Sequence, residues 1–372
     1  MVKTIKKAQP KRGRSSSPRR RSFSLWKIPA LGVLCLVAAA LCVAYLSMFV
    51  SPEVLWLPFF FGLYYIPLVL VNVVFMIAAL CARSVSFLIP ALALAPSLLF
   101  ADEFVKFGGK DVDVPSENVK IMTYNVGRYG AGPEASDKSE NRAALENYIA
   151  EENPDIVCLQ EFRVEDTLSF GTVFSSYPYC YHRLHKESGA FSGNITFSRY
   201  PIVRRESHIF PESLNMFLST DIAIGARTVR IFNCHLESYG ISFTSLVKKL
   251  SVKEYFADEI VQLHEHLRSG CLKRTGQVDT IAVLCRESPY PTMICGDFND
   301  TPISYAYHHL LSGHKDAFVE SGKGLSSSYS VLWPLLRIDY VFVPEEYSSA
   351  EYKVARVPYS DHYPVTSLLC FD

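Results

Sequence analysis

The residues of this chain best suited to chemistry fall in six short strings, each at the end of an apolar run: Met122-Thr123-Tyr124-Asn125, Cys158-Leu159-Gln160-Glu161, Asn233-Cys234-His235-Leu236, Gly296-Asp297-Phe298-Asn299, Arg337-Ile338-Asp339-Tyr340 and Ser360-Asp361-His362. A carboxylate at a strand end is ordinarily just solvated, so no string carries weight alone. Together they supply group types that suit one reaction. Acid and amide oxygens such as those of Glu161, Asp361 and Asn125 are hard ligands for Mg²⁺ or Mn²⁺. Histidines near a carboxylate, here His235 and His362, can carry protons or bind a phosphoryl oxygen near neutral pH. Asp297 and Asn299 stand two apart on a turn, so an acceptor and a neutral donor can converge on one phosphate and its attacking water. The sequence has neither a Gly-rich phosphate loop of the P-loop kind nor a Cys-x5-Arg nucleophile. Hydrolysis by activated water is therefore favoured over a covalent intermediate.

Taken in order, Tyr-Asn, Leu-Gln-Glu, His-Leu-Glu, Gly-Asp-Phe-Asn-Asp, Arg-Ile-Asp-Tyr and Ser-Asp-His resemble the endonuclease/exonuclease/phosphatase superfamily across residues 117–372. That group includes pancreatic-type deoxyribonucleases, abasic-site endonucleases, inositol polyphosphate 5-phosphatases and neutral sphingomyelinases. The resemblance implies an α/β fold, a four-layer sandwich of two mixed β-sheets flanked by helices. It also implies Glu161 as the principal metal ligand, with Asn125 and Asp361 close to the metal or to the phosphate it holds. By the same likeness Asp297 orients or deprotonates the attacking water, and Asn299 binds a phosphoryl oxygen. His362 would contact the phosphate, oriented by the carboxylate of Asp339. His235 matches the first histidine of the deoxyribonuclease and sphingomyelinase branches, where it helps the leaving group or the transition-state charge. The abasic-site branch has no histidine there, which turns the reading away from base-excision repair. Two positions depart from the pattern. Thr196 stands where the family's Gly-x-Ala-Ile-x-Ser-Arg strand has a small apolar residue, and Ser328 stands where many relatives have Thr-Tyr.

These side chains need strands to deliver them. Apolar runs predict strands over 119–124, 155–160, 177–183, 194–198, 216–224, 228–235, 291–295, 337–343, 351–356 and 365–369. Helical spacing predicts a helix over 140–152, with Leu145, Tyr148 and Ile149 on one face, and two more over 250–268 and 276–286. Strands interrupted by helices imply an α/β sandwich with more than one sheet. Residues 237–273 hold no recognised motif and are a candidate lid or substrate-contact region. His264, His266, His308 and His309 are expected at surface or satisfied core positions, because their spacing suits no shared ligand. Seven of the ten cysteines lie in this part without metal-type spacing, and those inside strand runs read as small core residues.

The N-terminal part is of another character. Uncharged runs over 28–50, 54–82 and 84–101 each approach or exceed the roughly 20 residues a bilayer core needs, and predict about three transmembrane helices. A cleaved signal peptide is the rival reading of the first run, and a twin-arginine signal at Arg20-Arg21 a weaker one. The formal net charge of zero hides an asymmetry: residues 1–30 carry ten Lys or Arg and no acid, whereas residues 101–372 carry 26 bases and 36 acids. A basic, Ser-rich tail before an apolar helix reads as cytoplasmic, and as a topology signal with headgroup contact before it reads as a nucleic-acid arm.

The domain organisation expected is a basic tail at 1–27, a transmembrane region at 28–101, a linker at 102–116 and the catalytic domain at 117–372. This describes an integral protein of a bacterial inner membrane, with its N-terminus cytoplasmic and its catalytic domain on the far side. Its expected function is divalent-metal-dependent hydrolysis of phosphodiesters or phosphomonoesters, with a lipid-linked or small substrate. An extracytoplasmic nuclease is the rival within enzymes, since Lys248-Lys249, Lys253 and Lys273-Arg274 could line a basic groove. An inactive binding module of the same fold is the rival outside them. No protein partner can be inferred.

Overall fold

Along the strands, apolar side chains alternate in period two and divide between different cores, as a sheet covered on both faces requires. Val119 and Ile121 enter one core while Met122 and Tyr124 enter another; Ile156 and Cys158 divide in the same way from Val157 and Leu159, and Met293 and Cys295 from Ile294. The computed structural model describes residues 27–108, 117–129, 138–165, 173–187, 189–211, 213–240 and 256–371. Its strands are β1 (Val105–Lys106), β2 (Asn118–Asn125), β3 (Ile156–Val164), β4 (Tyr179–Glu187), β5 (Ala190–Ser198), β6 (Ile202–Ile209), β7 (Met216–Ile224), β8 (Arg227–His235), β9 (Thr292–Asp297), β10 (His314–Asp316), β11 (Gly324–Leu325), β12 (Asp339–Pro344), β13 (Tyr347–Val354) and β14 (Val365–Phe371). The helices are α1 (Lys27–Leu46), α2 (Leu57–Leu63), α3 (Tyr65–Cys81), α4 (Leu88–Leu94), α5 (Lys138–Glu152), α6 (Phe256–Arg286), α7 (Tyr305–Leu311) and α8 (Ala317–Ser321).

One six-stranded sheet runs β10-β12-β9-β8-β7-β6 and the other β13-β14-β2-β3-β5-β4. Each is mixed, because β8 is parallel to β9 and β2 to β3 while the other neighbours are antiparallel. The sheets share an inner core that includes Val119, Ile156, Ile231, Met293, Val341 and Val365. Helix α5 covers the outer face of the second sheet through Leu145 and Ile149, and α6 and α7 cover the first through Val278, Ile281 and Tyr307. The expected four-layer sandwich is present. Cys158, Cys234, Cys295 and Cys370 are buried within it.

At one end the inner core turns polar. Gln160 on β3 donates from Nε2 to Asn233 Oδ1 on β8 at 2.8 Å, and Asn233 Nδ2 donates to the Ile195 carbonyl at 3.0 Å and to Thr196 Oγ1 at 3.2 Å. Asn194 Nδ2 donates to the Asn233 carbonyl at 3.1 Å, so β3, β5 and β8 are tied across the layer gap. The hydroxyl of Thr196 thus has a partner that a small apolar residue could not offer.

Three expectations are corrected here. The two helices over 250–268 and 276–286 are one, α6, which runs through Gly270 and Gly276; residues 250–255 lie outside the described ones. A Cβ at Gly270 would come within 2.9 Å of the Ser238 carbonyl oxygen, so close packing outweighs glycine's poor helix propensity. Strand β6 was not expected, because its Arg204, Arg205 and Glu206 lie on an exposed edge where no apolar alternation is needed. Finally, three spans do not form. Among the described residues only α1, over Ile28–Leu46, is long and apolar enough on its own, and the pair α2 and α3 would make a second only as a span bent by 70°. The third run breaks into short 3-10 and α segments across Val85–Leu99, where Pro96 has no N–H to extend α4.

These N-terminal helices pack on the sandwich. Ser47 Oγ donates to the Ile303 carbonyl at 2.9 Å, and Phe59 joins Leu267 and Cys271 in one cluster. Past the last helix, the Glu103 carbonyl accepts from Arg337 Nη1 at 3.0 Å, while Arg337 Nη2 grips both oxygens of Asp316 at 2.5 and 2.6 Å. The Glu103 carboxyl is buried here. Burial first, then the charge of Asp316, push it up to about 8 against the pull of Arg337.

A carboxyl whose folded-state value lies above its unfolded one takes up a proton on folding, so stability falls as pH rises from about 4.3 towards the folded value. Glu103→Gln should therefore melt close to the wild type near pH 5 and above it near pH 8 (both values approximate). Thermal melts of the detergent-solubilised full chain across that range check this; a gap independent of pH would refute it.

Candidate active site

Sheet register brings the strand ends together. In the first sheet His235 of β8 lies opposite Asp297 of β9, and Asp297 lies opposite Asp339 of β12. In the second, Asn125 of β2 lies opposite Gln160 of β3, next to Glu161. Gly296 is required at this crossing: its φ is +131°, and a Cβ would fall 1.9 Å from the Cys234 carbonyl oxygen. Glu161 and Asn299 both adopt left-handed backbone, with φ of +51° and +52°. For Glu161 this coincides with an irregularity in the β3–β5 pairing between Leu159 and Phe162, which re-aims the carboxylate.

Asp297 is the meeting point of the two sheets. Its Oδ2 accepts from Asn125 Nδ2 at 2.9 Å and Asn299 Nδ2 at 3.2 Å, and its Oδ1 from the Asn299 backbone N–H at 2.9 Å. The same Oδ2 lies 3.6 Å from His362 Nε2 and 3.9 Å from His235 Nε2, while His235 Nε2 is also 3.7 Å from Glu161 Oε1. His362 turns its Nδ1 to Asp339 Oδ2 at 2.8 Å. Burial opposes a charge on His362, but the carboxylates of Asp339 and Asp297 outweigh it and lift the imidazole to about 10. The two acids thus favour the charged form of the ring, whose Nε2 is directed at Asp297. Asp361 completes the ring of acids: burial pushes its carboxyl up, His362 draws it down, and the charge of Glu161 pushes it up again.

All eight residues singled out from the sequence thus share one site, but two are differently engaged than expected. The Asn299 amide donates to the Leu236 carbonyl at 2.9 Å as well as to Asp297, bracing the loop after β8. Asn125 Oδ1 already accepts from the Gly127 N–H at 3.0 Å, which leaves it one further lone pair. Ser328 is a buried brace, its Oγ accepting from the backbone N–H groups of Ile338 and Asp339 at 3.1 and 3.0 Å.

The structure adds residues that the strings did not single out. Arg128, with φ of +56°, sets Nε 3.3 Å from Glu161 Oε2. The Tyr329 ring packs edge-on against His362 at 5.2 Å, and Ser360, which the last string contains but gives no role, donates from Oγ to the Asn125 carbonyl at 2.8 Å. A lone Arg or Tyr in a loop gives no periodic signal, so nothing in the string pattern marks them. Arg274 is buried, not groove-lining: it pairs with Asp300 at 3.1 Å and donates to the Glu237 carbonyl and to the Tyr239 hydroxyl. Lys273 lies 3.6 Å from Glu237, and Lys248, Lys249 and Lys253 fall outside the described residues. His264 and His308 sit against the N-terminal helices, on Trp56 and between Phe49 and Phe100, away from the site.

Residues 122–362 match the Endonuclease/Exonuclease/phosphatase family, and residues 27–103 match a domain of unknown function (DUF8431). No curated protein matches the chain. Among solved structures, an endonuclease/exonuclease/phosphatase from Beutenbergia cavernae is similar at 17% identity and a TM-score of 0.47, over 68% of this chain and 72% of that one. The human Nocturnin catalytic domain is similar at 15% identity and a TM-score of 0.49, over 70% and 97% of the two chains. A mannosyl-6-phosphatase of Bacteroides thetaiotaomicron is similar at 16% identity and a TM-score of 0.47, over 68% and 100%.

Because Asp339 Oδ2 holds the His362 ring through Nδ1, the two are expected to behave as a unit. Asp339→Asn and His362→Ala are each expected to lower kcat/KM about 100-fold or more, and the double variant to be little worse than the more damaging single one. Steady-state kinetics of the four proteins decide it; losses that multiply would show that the pair is uncoupled.

Proposed function

Given that the chain belongs to the endonuclease/exonuclease/phosphatase family and is a metal-dependent phosphoester hydrolase, we propose that it works at a membrane, on lipid-linked or small phosphoesters, by attack of water. The observation that carries the catalytic part is the convergence of Asn125, Asn299, His235 and His362 on Asp297 Oδ2.

Glu161, Asp361 and the Asn125 side-chain oxygen would hold the divalent cation. An all-oxygen set suits Mg²⁺ or Mn²⁺, and a cation there would offset the burial and the Glu161 charge that push the Asp361 carboxyl up. The ligand atoms of Asp297, Asp339 and His362 also lie within 4.8 Å of one another, but the His362 imidazolium already supplies the positive charge between those two acids. When bound, the metal supplies charge neutralisation at the phosphoryl group. The protein's own groups supply the rest. Asp297, held by two amides, orients the attacking water and accepts its proton. His362 donates from Nε2 to a phosphoryl oxygen, fixed in tautomer and angle by Asp339. His235 stands beside Glu161 and Asp297, where it serves the leaving group or the developing charge.

Two features support a lipid-linked or small substrate. Residues 101–372 carry ten more acids than bases, the opposite of the basic face that holds nucleic acid, and Arg274 is withdrawn into the interior. The apolar helix α1 would keep the site near headgroups and raise the local concentration of a lipid substrate.

Glu161→Gln, or excess chelator, should lower turnover at least about 100-fold. The assay compares phospholipid, sugar-phosphate and oligonucleotide substrates at matched metal and low salt. Full activity in chelator would sink the metal assignment, and efficient cleavage of DNA alone would sink the substrate class.

For topology, the ten basic residues within 1–30, nine of them before α1, support a cytoplasmic N-terminus with the catalytic domain on the other side. A reporter fused after residue 372 should be active outside the cytosol; activity in the cytosol alone would refute this.

A further inference from the structure

The loop between Tyr329 and Arg337 has an apolar tip that the catalytic reading leaves unused. Val331, Trp333 and Leu335 are each more than two-fifths exposed, at 45%, 44% and 42%. Water-facing apolar clusters of this kind mark an interaction surface when they are held in place rather than scattered. This one is held. The Leu336 carbonyl accepts from Ser328 N at 3.0 Å, Tyr329 N at 3.2 Å and Ser327 Oγ at 2.7 Å, which closes the loop at its base.

The base is also part of the active site. Ser330 donates from both N and Oγ to the Asp361 carbonyl at 2.8 Å, and the Tyr329 ring lies against His362. At the tip, the Arg356 guanidinium sits 4.9 Å above the Trp333 ring. An exposed Trp beside an exposed Arg is the pairing that suits a bilayer interface, with the ring among the upper acyl chains and the cation among phosphates.

The position of the loop favours a bilayer over another protein as its occupant. The N-terminal helices land on residues that flank the site: Phe59 on Tyr239, four residues after His235; Ser47 on Ile303, four after Asn299; and Glu103 on Arg337, two before Asp339. Arg337 is the residue at which the loop ends. The base of the loop is therefore fixed against Glu103, the residue with which the apolar N-terminal region enters the catalytic domain.

We infer that Val331, Trp333 and Leu335, with Arg356, dip into the membrane interface and set the mouth of the active site at headgroup level, so that a phospholipid presents its phosphoester to His362 without leaving the bilayer. The inference rests on the membrane-hydrolase reading given above. It places the apolar part of the substrate against the loop tip and the phosphate at Asp297 and His362.

Two measurements on the full chain test it. With Trp26 and Trp56 changed to Phe, Trp333 remains the only tryptophan of the three in the sequence. In vesicles of phosphatidylcholine and phosphatidylglycerol, its fluorescence should be quenched when the phosphatidylcholine acyl chains are brominated; unchanged fluorescence would overturn the inference. Separately, the combined change Val331→Ser, Trp333→Ala and Leu335→Ser should lower the ratio of vesicle phospholipid turnover to turnover of a water-soluble phosphodiester by about tenfold. An unchanged ratio, including one in which both activities fall together, would overturn it too. If the unsubstituted protein hydrolysed neither substrate, the hydrolase reading would fail and the quenching alone would decide the loop.

Discussion

Two apolar sheets can stack in many relative positions, because side chains such as Val, Ile and Leu interdigitate without direction. The polar contacts at one end of the inner core remove that freedom. Gln160 and Asn233 are fully buried, and each finds its partners only when β3, β5 and β8 stand in one alignment. A hydrogen bond of this kind adds only about 1 kcal/mol net, but leaving its buried groups unpaired costs more, so the contacts act on alignment more than on stability. Glu161 follows Gln160 directly, and His235 follows Asn233 by two. The alignment of the sheets and that of the catalytic side chains are therefore one constraint.

The electrostatics follow from that alignment. Four carboxylates are drawn to one place, with Asp297 and Asp339 buried and Glu161 and Asp361 half-buried. The protein answers with Arg128 on Glu161 and with an imidazolium between Asp339 and Asp297. Around Glu161 and Asp361 the only opposite charge close by on the β3 side, among the described residues, is Arg128, whereas the His362 ring stands between Asp297 and Asp339. The site is thus divided between a group on β9 and β12 with His362 and a group on β2 and β3 with Asp361.

The N-terminal helices are packed onto this arrangement rather than tethered to it. Their contacts fall on the loop after His235, the loop after Asn299 and the start of β12, so the placement of the helices and the shape of the site mouth are linked. Arg274 strengthens the link by joining the Tyr239 and Asp300 loops inside the protein. Arg274, which looks from the sequence like part of a basic surface, turns out to be an internal brace, since an Arg next to a buried Asp has no cost-free alternative.

Period-two apolar runs ending in polar residues are enough to expect the strands that carry the site, though not the exposed edge strand β6, and the order of six strings is enough to expect a layered α/β phosphoesterase with Asn125, Glu161, His235, Asp297, Asn299, Asp339, Asp361 and His362 in one site. These are local or ordinal properties, which a chain displays without folding. Helix continuity was not legible at Gly270, because the contact that keeps it helical comes from Ser238, far away in sequence. The membrane spans were overcounted, because composition counts apolar residues but not the breaks at Tyr64 and Pro96 that backbone geometry imposes. The roles of Arg128, Tyr329, Ser328 and Arg274 were invisible for the same reason: each depends on which side chain a distant loop places beside it. Local sequence determined which groups the strands carry and in what order. Only the stacking of the two sheets decided that Asp297 would stand between His235, His362 and Asn125, because that meeting is made of distances between segments, and no segment encodes them by itself.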